Sequence, residues 1–140
     1  MTKTEELFDL SHTIARELFS ENEPAHTALP KIKERIIEIG KRSGFPEVRE
    51  GVFIAEDAVI AENATIIAPV IIGSRTEVRP GAYIRGCAII GDGVEIGCNT
   101  VLNPGTVIGK YARIYPLSSV RGFVPAASIY KSPNDITEII

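Results

Sequence analysis

The chain has 140 residues, a formal net charge of −3, 44% hydrophobic residues and 24% charged residues. This length predicts one domain with at most a small appendage, and the composition is that of an ordinary globular protein. The acidic balance argues against a protein that holds nucleic acid through its phosphates. No stretch approaches the roughly 18 unbroken apolar residues that a membrane span requires. We therefore expect neither a nucleic-acid nor a membrane partner.

The first segment, from about Thr4 to Phe19, predicts an amphipathic helix. Its apolar residues recur at spacings of three and four, which places them on one stripe. They are Leu7, Leu10, Ile14 and Leu18. The acidic start lacks the basic and apolar regions of a secretory signal, and the two cysteines, Cys87 and Cys98, are too few for a disulfide framework. We therefore predict a cytoplasmic protein with reduced thiols.

A second helix is expected after the polar stretch of residues 20–28, whose composition predicts a loop. Pro30 suits the first turn of this helix, because the missing N–H needs no partner there. The apolar face of the helix would consist of Ile32, Ile36, Ile37 and Ile39. Gly40 and Gly44, followed by Pro46, are expected to end it.

A period of six residues governs the chain from Ile54 onward, and repeats of this kind decide a fold. Every sixth residue is aliphatic: Ile54, Ile60, Ile66, Ile72, Val78, Ile84, Ile90, Ile96, Leu102, Ile108, Ile114 and Val120. The residue four positions after each of these is small or β-branched: Ala58, Ala64, Val70, Thr76, Ala82, Ala88, Val94, Thr100, Thr106, Ala112, Ser118 and Val124. A β-sandwich with this spacing by accident is the alternative, and the unbroken register of both rows disfavours it.

Each hexapeptide predicts a short strand and a turn, and three of them would close one triangular coil. The two inward rows would fill a narrow prism at native density, and glycines at the corners would supply backbone freedom that a Cβ forbids. With strands roughly 4.8 Å apart, about four coils would give a prism roughly 19 Å tall. We predict an all-β repeat fold, with a helical appendage at residues 1–50, a parallel β-helix of about four coils at 51–129 and a tail or cap at 130–140.

This pattern, with Gly directly after the aliphatic residue at positions 73, 91, 97 and 109, resembles the hexapeptide-repeat transferase superfamily. The resemblance implies a left-handed coil and a homotrimer. A narrower resemblance lies in TEVRPGAYIRGCAIIG (residues 76–91) and FDLSHTIARELF (residues 8–19). These segments are similar to the family of bacterial N-acetylglucosamine-1-phosphate uridyltransferases, whose second activity is glucosamine-1-phosphate acetyltransferase.

The chain departs from these families at the residues that carry their chemistry. It lacks a counterpart of the Gly-rich α/β domain that performs uridyl transfer, so uridyl transfer by this chain alone is not expected. The acetyltransferase half of that family uses a histidine of the repeat as general base, but this chain has only His12 and His26, both before the repeat. The γ-class carbonic anhydrases share the fold and need three zinc-binding histidines, so that activity is excluded and no metal site is expected.

Arg79 is the first candidate ligand-binding residue. It stands in Arg-Pro-Gly, where the resemblance implies an arginine that binds a sugar phosphate, and a guanidinium can hold phosphate oxygens in a bidentate manner. The alternative is a solvated arginine at a turn, paired with Glu77 or another carboxylate.

Stacking at 18-residue intervals predicts two columns of side chains. Arg85, Asn103 and Arg121 would form one column, in which an amide bridges two cations about 10 Å apart, a suitable arrangement for a phosphate. A second column would hold Arg79, Gly97 and Tyr115, with Gly97 leaving a notch between the arginine and the aromatic ring. The alternative is that both columns meet a neighbouring subunit or form an ordinary hydrated face.

His12 is a weak candidate for a catalytic base brought to the cleft by the first helix, since a lone helical histidine is more often structural; His26 is weaker still. The resemblance implies that coenzyme A lies along a groove between subunits near the later coils. Lys110, Arg121 and Lys131 would then meet its phosphates. An acyl-CoA is accordingly expected as a co-substrate, with no tightly bound cofactor.

The first hypothesis is a trimeric acyltransferase-like protein that acts on a sugar phosphate or nucleotide sugar with an acyl-CoA donor. The second is a non-catalytic trimeric module that binds a nucleotide sugar or serves as a scaffold for a separately encoded nucleotidyltransferase. The missing repeat histidine favours the second hypothesis, and the usual activity of the superfamily favours the first.

Overall fold

The computed structural model describes residues 29–132 and 135–138. These residues form helix α1 (Leu29–Ser43) followed by short strands. The strands are β1 (Glu47–Arg49), β2 (Val52–Ile54), β3 (Val59–Ile60), β4 (Thr65–Ile66), β5 (Val70–Ile72), β6 (Glu77–Val78), β7 (Tyr83–Ile84), β8 (Ala88–Ile90), β9 (Glu95–Ile96), β10 (Val101–Leu102), β11 (Thr106–Ile108), β12 (Arg113–Ile114), β13 (Ser119–Val120), β14 (Phe123–Val124), β15 (Ser128–Ser132) and β16 (Asp135–Glu138).

Three sheets form the sides of a triangular prism. The first sheet has the order β1-β2-β5-β8-β11-β14, the second has β16-β15-β12-β9-β6-β3, and the third has β13-β10-β7-β4. Strands of successive coils pair in parallel, and each pairing in the first four coils joins residues 18 positions apart, as in Val70 with Ala88. The predicted parallel β-helix of about four coils is confirmed, and a left-handed coil fits its hexapeptide repeat.

The interior consists of the two predicted rows. Members of the aliphatic row from the second coil onward are almost fully buried, for example Ile84, Ile96 and Leu102. Hydroxyl groups in the small row are satisfied by nearby backbone, as when the Thr76 hydroxyl donates to the Gly91 carbonyl at 2.6 Å. In the first coil Val52 is buried, but the other inward residues are only partly buried, because no coil of the described residues lies beneath them. They are Ile54, Ala58, Ile60, Ala64 and Ile66.

The last coil is two residues shorter than the others, which corrects the predicted register after Val120. Ile108 pairs with Val124 and Ile114 pairs with Tyr130, both at a separation of 16 residues. Val124 therefore stacks in the aliphatic row and not in the small row. Tyr130 is also buried, and its hydroxyl donates to the Ser119 carbonyl at 3.0 Å.

The glycines that follow the aliphatic residue have a different role from the one expected. They have no left-handed backbone angle, so conformational freedom is not what these positions require. A Cβ on Gly97 would overlap Pro116 N and lie 2.7 Å from the Ile114 carbonyl oxygen. The next coil passes so close to this corner that only a hydrogen fits.

Helix α1 corresponds to the predicted second helix, and the predicted first helix lies outside the described residues. Pro30 is in its first turn, and Gly44, with φ of 79°, follows its last residue. Gly40 does not end the helix as expected but lies within it. A Cβ on Gly40 would come within 2.7 Å of Cγ of the Phe53 ring, so the glycine lets the helix approach the sheet.

The apolar face of α1 covers the outer side of the first sheet. Ile32, Ile36 and Ile39 are buried in one cluster with an outward row at 18-residue spacing. That row consists of Phe53, Ile71, Ile89 and Val107. Fully burying one such side chain contributes about 1.5–3 kcal/mol, so the helix is an integral part of this face.

After the last coil, β15 pairs in parallel with β12 on one side and antiparallel with β16 on the other. This pair extends the second sheet at the C-terminal end of the prism. Within the described residues, no helix combines the length and apolarity that crossing a bilayer requires.

Candidate ligand-binding cleft

A shallow cleft of about 360 Å³ lies on the second sheet, at its corner with the third sheet. Its floor and walls come from the third and fourth coils, with one residue from the second. The lining residues are Arg79, Glu95, Gly97, Cys98, Arg113, Ile114, Tyr115 and Pro116. The structure thus brings the column of Arg79, Gly97 and Tyr115 to one site.

Arg79 is held by two carboxylates. Its Nε lies 3.2 Å from Glu77 Oε1, and its Nη2 donates to Glu95 Oε1 at 2.9 Å. Glu77 and Glu95 are stacked partners in the second sheet, and Arg79 offsets the repulsion between them. The Arg79 guanidinium is therefore ion-paired with Glu77 and Glu95, which is the alternative that the sequence analysis gave for this residue. About two-fifths of each side chain is exposed, so these pairs stabilise the fold only weakly and can yield to a ligand.

Arg113 is the cleft residue that sequence reasoning missed. It stacks directly on Glu95 in the outward row of the second sheet, yet Glu95 turns to Arg79 instead. Among residues 29–132 and 135–138, no carboxylate forms an ion pair with Arg113. The 18-residue period could have placed Arg113 in line with Glu77 and Glu95. Whether Glu95 pairs with Arg79 or with Arg113, however, depends on side-chain rotamers.

Tyr115 lines the cleft, and Lys131 lies beside its ring without lining the cleft itself. The Tyr115 ring is about half exposed, and Lys131 Nζ lies 5.3 Å from its centroid, a cation–π distance. Gly97 lines the cleft together with Arg79 and Tyr115, as the predicted notch requires. Its missing Cβ does not itself form the hollow, because that position is filled by backbone atoms of Ile114 and Pro116.

The second predicted column is a hydrogen-bonded ladder at the far edge of the third sheet. Arg85 Nη1 donates to Asn103 Oδ1 at 3.0 Å, and Asn103 Nδ2 donates to Ser119 Oγ and to the Val120 carbonyl at 3.0 and 3.1 Å. Arg121 follows on the same edge and is exposed. These residues lie together, but they do not line the cleft.

The remaining candidate residues are dispersed. Lys110 is exposed at the corner between the first and second sheets, whereas His12 and His26 lie outside the described residues. Cys98 lines the cleft, while Cys87 is buried beneath α1. Burial raises the pKa of the Cys87 thiol, and the nearby Lys33 opposes this effect. Within the described part of the chain, no three His, Cys, Asp or Glu side chains converge on a metal position.

A triangular prism built from six-residue repeats fits the hexapeptide-repeat transferases. Two consecutive stretches, residues 51–86 and 87–122, match the family described as bacterial transferase hexapeptide (six repeats). Together they cover more than half of the chain. The chain belongs to this family.

Solved structures of similar fold include several acetyltransferases. A serine acetyltransferase in complex with CoA is 17% identical, with a TM-score of 0.50 over 99% of this chain and 58% of that one. Serine acetyltransferase from Neisseria gonorrhoeae in complex with serine is 18% identical, with a TM-score of 0.49 over 95% and 69%. A hexapeptide-repeat containing acetyltransferase from Vibrio cholerae is 16% identical, with a TM-score of 0.44 over 97% and 92%. At such identities the likeness concerns the fold alone, and the chain spans less than two thirds of the CoA-bound enzyme.

Proposed function

We propose that this protein is an acyltransferase that uses an acyl-CoA donor and a sugar phosphate or nucleotide sugar as acceptor. The observation that carries the proposal is the cleft on a transferase-family prism, where Arg79 and Arg113 line the same site as an exposed tyrosine. Two guanidinium groups suit a phosphorylated ligand, and an aromatic ring suits a sugar or a base. A serine acetyltransferase of this fold was solved with CoA.

The reaction moves an acyl group from sulfur to nitrogen or oxygen. The acceptor amine or hydroxyl attacks the thioester carbonyl, the C–S bond breaks, and the proton lost by the acceptor reaches the thiolate of coenzyme A. Arg79 and Arg113 would hold the acceptor's phosphate, and Lys110, Arg121 and Lys131 would hold the phosphates of the donor. Positioning of donor and acceptor supplies a large share of the rate in such reactions, and His12 is the candidate for the base.

One observation favours a second candidate function. The repeat from residue 51 to 129 contains no histidine, and this general base is the one that the resembling acetyltransferases use. A non-catalytic module that binds a nucleotide sugar, or a scaffold for a separately encoded nucleotidyltransferase, would need only the cleft. The narrower resemblance to uridyltransferase-related proteins supports this alternative.

We further propose that the working unit is a cytoplasmic homotrimer. The first sheet is covered by α1, and the second presents Glu77, Glu95 and Arg113. The outward row of the third sheet is uncharged, with Thr65, Tyr83, Val101 and Ser119. An uncharged face that carries a half-exposed tyrosine suits contact between subunits.

A thermal-shift screen on the wild-type chain and on Arg79→Ala tests the proposal. The ligands are acetyl-CoA, coenzyme A, UDP-N-acetylglucosamine and glucosamine 1-phosphate. A ligand present at 100 times its Kd adds about 2.7 kcal/mol to the free energy of unfolding, which the method resolves. We expect acetyl-CoA to raise Tm in both proteins, and the acceptor to raise it only in the wild type. Lys41→Ala, at the exposed last turn of α1, is the matched control.

The outcome of the screen separates the two functions. A response to a nucleotide sugar alone, lost in Arg79→Ala, would favour the binding module. If none of the four ligands shifts Tm, the small-molecule proposals are wrong and a protein partner is indicated.

A further inference from the structure

A second group of cations lies away from the cleft, at the corner between the third and first sheets. Arg85, Asn103 and Arg121, here named the arginine ladder, follow β7, β10 and β13, which pair in register across successive coils. The three residues therefore stack at intervals of about 4.8 Å, with the two arginines about 10 Å apart. Arg121 has a role in the proposed function as a ligand of the donor, whereas Arg85 and Asn103 have none there.

The amide of Asn103 fixes the orientation of Arg85 without neutralising its charge. Asn103 Oδ1 accepts a hydrogen bond from Arg85 Nη1 at 3.0 Å. Asn103 Nδ2 donates to Ser119 Oγ at 3.0 Å and to the Val120 carbonyl at 3.1 Å, which occupies both donors of the amide. Asn103 is therefore a positioning residue. Its bond to Arg85 uses one N–H of a guanidinium that has five.

The strands and turns around the arginine ladder contain no carboxylate that could balance its charge. Four stretches build the third sheet, the first sheet and the corner between them without an aspartate or glutamate: residues 65–72, 83–90, 101–108 and 119–124. Within the part of the chain that the structure describes, neither arginine of the ladder forms an ion pair. Arg79 in the cleft differs, because Glu77 and Glu95 hold it.

Helix α1 brings a further positive charge to this corner. Burial raises the pKa of the Cys87 thiol, and the charge of Lys33 opposes this rise, so Lys33 lies near the corner that Cys87 shares with Arg85. The helix as a whole holds five basic residues and two acidic ones. A surface with charges of one sign raises the local concentration of oppositely charged ligands, which here are anions.

The last coil is shortened at this same corner. Leu102 pairs with Val120 at the regular separation of 18 residues, whereas Ile108 pairs with Val124 at a separation of 16. The two missing residues would have covered the turn at residues 104–105, which is partly exposed. The corner therefore has a step beside the upper arginine of the ladder, and a small anion can enter it from solvent.

We propose that the arginine ladder is a second phosphate-binding site, separate from the cleft. Arg85 and Arg121 donate to the oxygens of one phosphate group, and Asn103 holds Arg85 in place. Guanidinium groups bind phosphate oxygens in a bidentate manner, and hydrogen bonds between ionised groups are among the strongest in proteins. The phosphate belongs either to the acyl-CoA donor, an assignment that rests on the proposed function, or to free inorganic phosphate.

Isothermal titration calorimetry of the full-length chain with coenzyme A and with inorganic phosphate tests this site. Arg85→Ala and Arg121→Ala should each raise Kd about tenfold or more, because each removes hydrogen bonds to a charged group. Asn103→Asp keeps the size of the side chain but adds a counter-ion, and should raise Kd by a similar factor. Arg75→Ala removes an exposed arginine from another corner and should leave Kd unchanged. Circular dichroism checks that the prism persists in each variant.

The two ligands distinguish the sources of the phosphate. Binding of coenzyme A that depends on Arg85, without binding of inorganic phosphate, would assign the site to the donor. Binding of inorganic phosphate with the same dependence would assign it to the free anion. Pantetheine, the part of coenzyme A that carries no phosphate, should bind the wild type and the ladder variants equally.

Three results would overturn the proposal. Absence of binding in the wild type, or an equal Kd in the wild type and both arginine variants, would show that the ladder holds no phosphate. Equal weakening by Arg75→Ala would attribute the effect to the overall charge of the chain. A change of molecular mass in Arg85→Ala would assign the ladder to a contact between subunits. None of these readouts depends on acyl transfer, so failure of the transferase function would be a separate result.

Discussion

Single residues at the corners set how closely the coils can stack. Gly97 has an ordinary backbone conformation but no room for a side chain, since a Cβ would lie against Pro116 and Ile114 of the next coil. Gly97→Ala should lower the free energy of unfolding by about 1–3 kcal/mol, the usual range for overpacking. Equilibrium unfolding in urea measures this loss.

The control is Gly44→Ala, at a position with φ of 79°. Its cost is conformational and should stay near 1–2 kcal/mol. Equal stability of Gly97→Ala and the wild type would show that the coils can separate at this corner without cost.

Two buried ionisable residues make stability depend on pH. Burial raises the pKa of Cys87 and of Tyr130. Each group keeps its proton to a higher pH in the folded protein than in the unfolded chain. Its contribution to the free energy of unfolding is therefore fully present below the pKa of the unfolded chain and is lost as pH rises through the pKa of the folded protein. The free energy of unfolding should therefore fall as pH rises above about 9, starting with the thiol.

Urea titrations at pH 7, 8, 9 and 10 measure this dependence. Cys87→Ala should flatten the first part of the decline, whereas Cys98→Ala, in the partly exposed cleft, should not. A stability that is constant from pH 7 to 10 in the wild type would contradict the burial of the Cys87 thiol.

The sequence predicted which single residues point into the prism, but it could not predict the rotamers of the charged side chains outside it. The period of six places Ile84, Ile96 and Leu102 inside because an inward position has only one orientation on a strand. It cannot say whether Glu95 turns to Arg79 or to Arg113, since both cations lie within reach and side-chain rotamers decide. This pairing decides which of the two arginines is neutralised by a carboxylate and which is available to a ligand.

At the level of elements, α1 packs closely on the first sheet because Gly40 has no side chain at the point of contact. Alanine usually stabilises a helix by about 1 kcal/mol relative to glycine, but Gly40→Ala should destabilise this protein by about 1–3 kcal/mol. The cause is the Phe53 ring, which already occupies the space of the new Cβ. Thermal or urea unfolding provides the measurement.

A double-mutant cycle attributes the cost to this contact. Phe53→Leu removes part of the ring, so the combination with Gly40→Ala should cost at least about 0.5 kcal/mol less than the two single changes together. Additive losses would mean that Gly40 is required for another reason.

The strands could be predicted where the six-residue period is regular, but not where the last coil departs from it. The second helix was predicted from apolar spacing with Pro30 in its first turn, and its position on the first sheet follows from the outward row beginning at Phe53. The shortened last coil was missed because Val120 and Val124 fit both rows. The two-residue shift is seen only in the strand pairings, of Ile108 with Val124 and of Ile114 with Tyr130.

For the whole molecule, the proposed contact between subunits through the uncharged face of the third sheet predicts the molecular mass in solution. Light scattering should give about three times the 15.2 kDa of one chain. Tyr83→Glu, which places a charge on that face, should shift the mass to a single chain. Val48→Glu, at an exposed residue of the short edge strand β1, should keep the mass unchanged, and a single chain in the wild type would contradict the proposed trimer.

Acyl transfer itself is the most direct test of the proposed function. Wild-type protein is incubated with acetyl-CoA and glucosamine 1-phosphate, and the released coenzyme A thiol and the acetylated product are measured together. The proposal predicts that both form in equal amounts, that Arg79→Ala lowers kcat/KM by about tenfold or more, and that Lys41→Ala changes nothing. Absence of product with this and other phosphorylated amines, from a protein that still binds a nucleotide sugar, would contradict the transferase function and support the binding module.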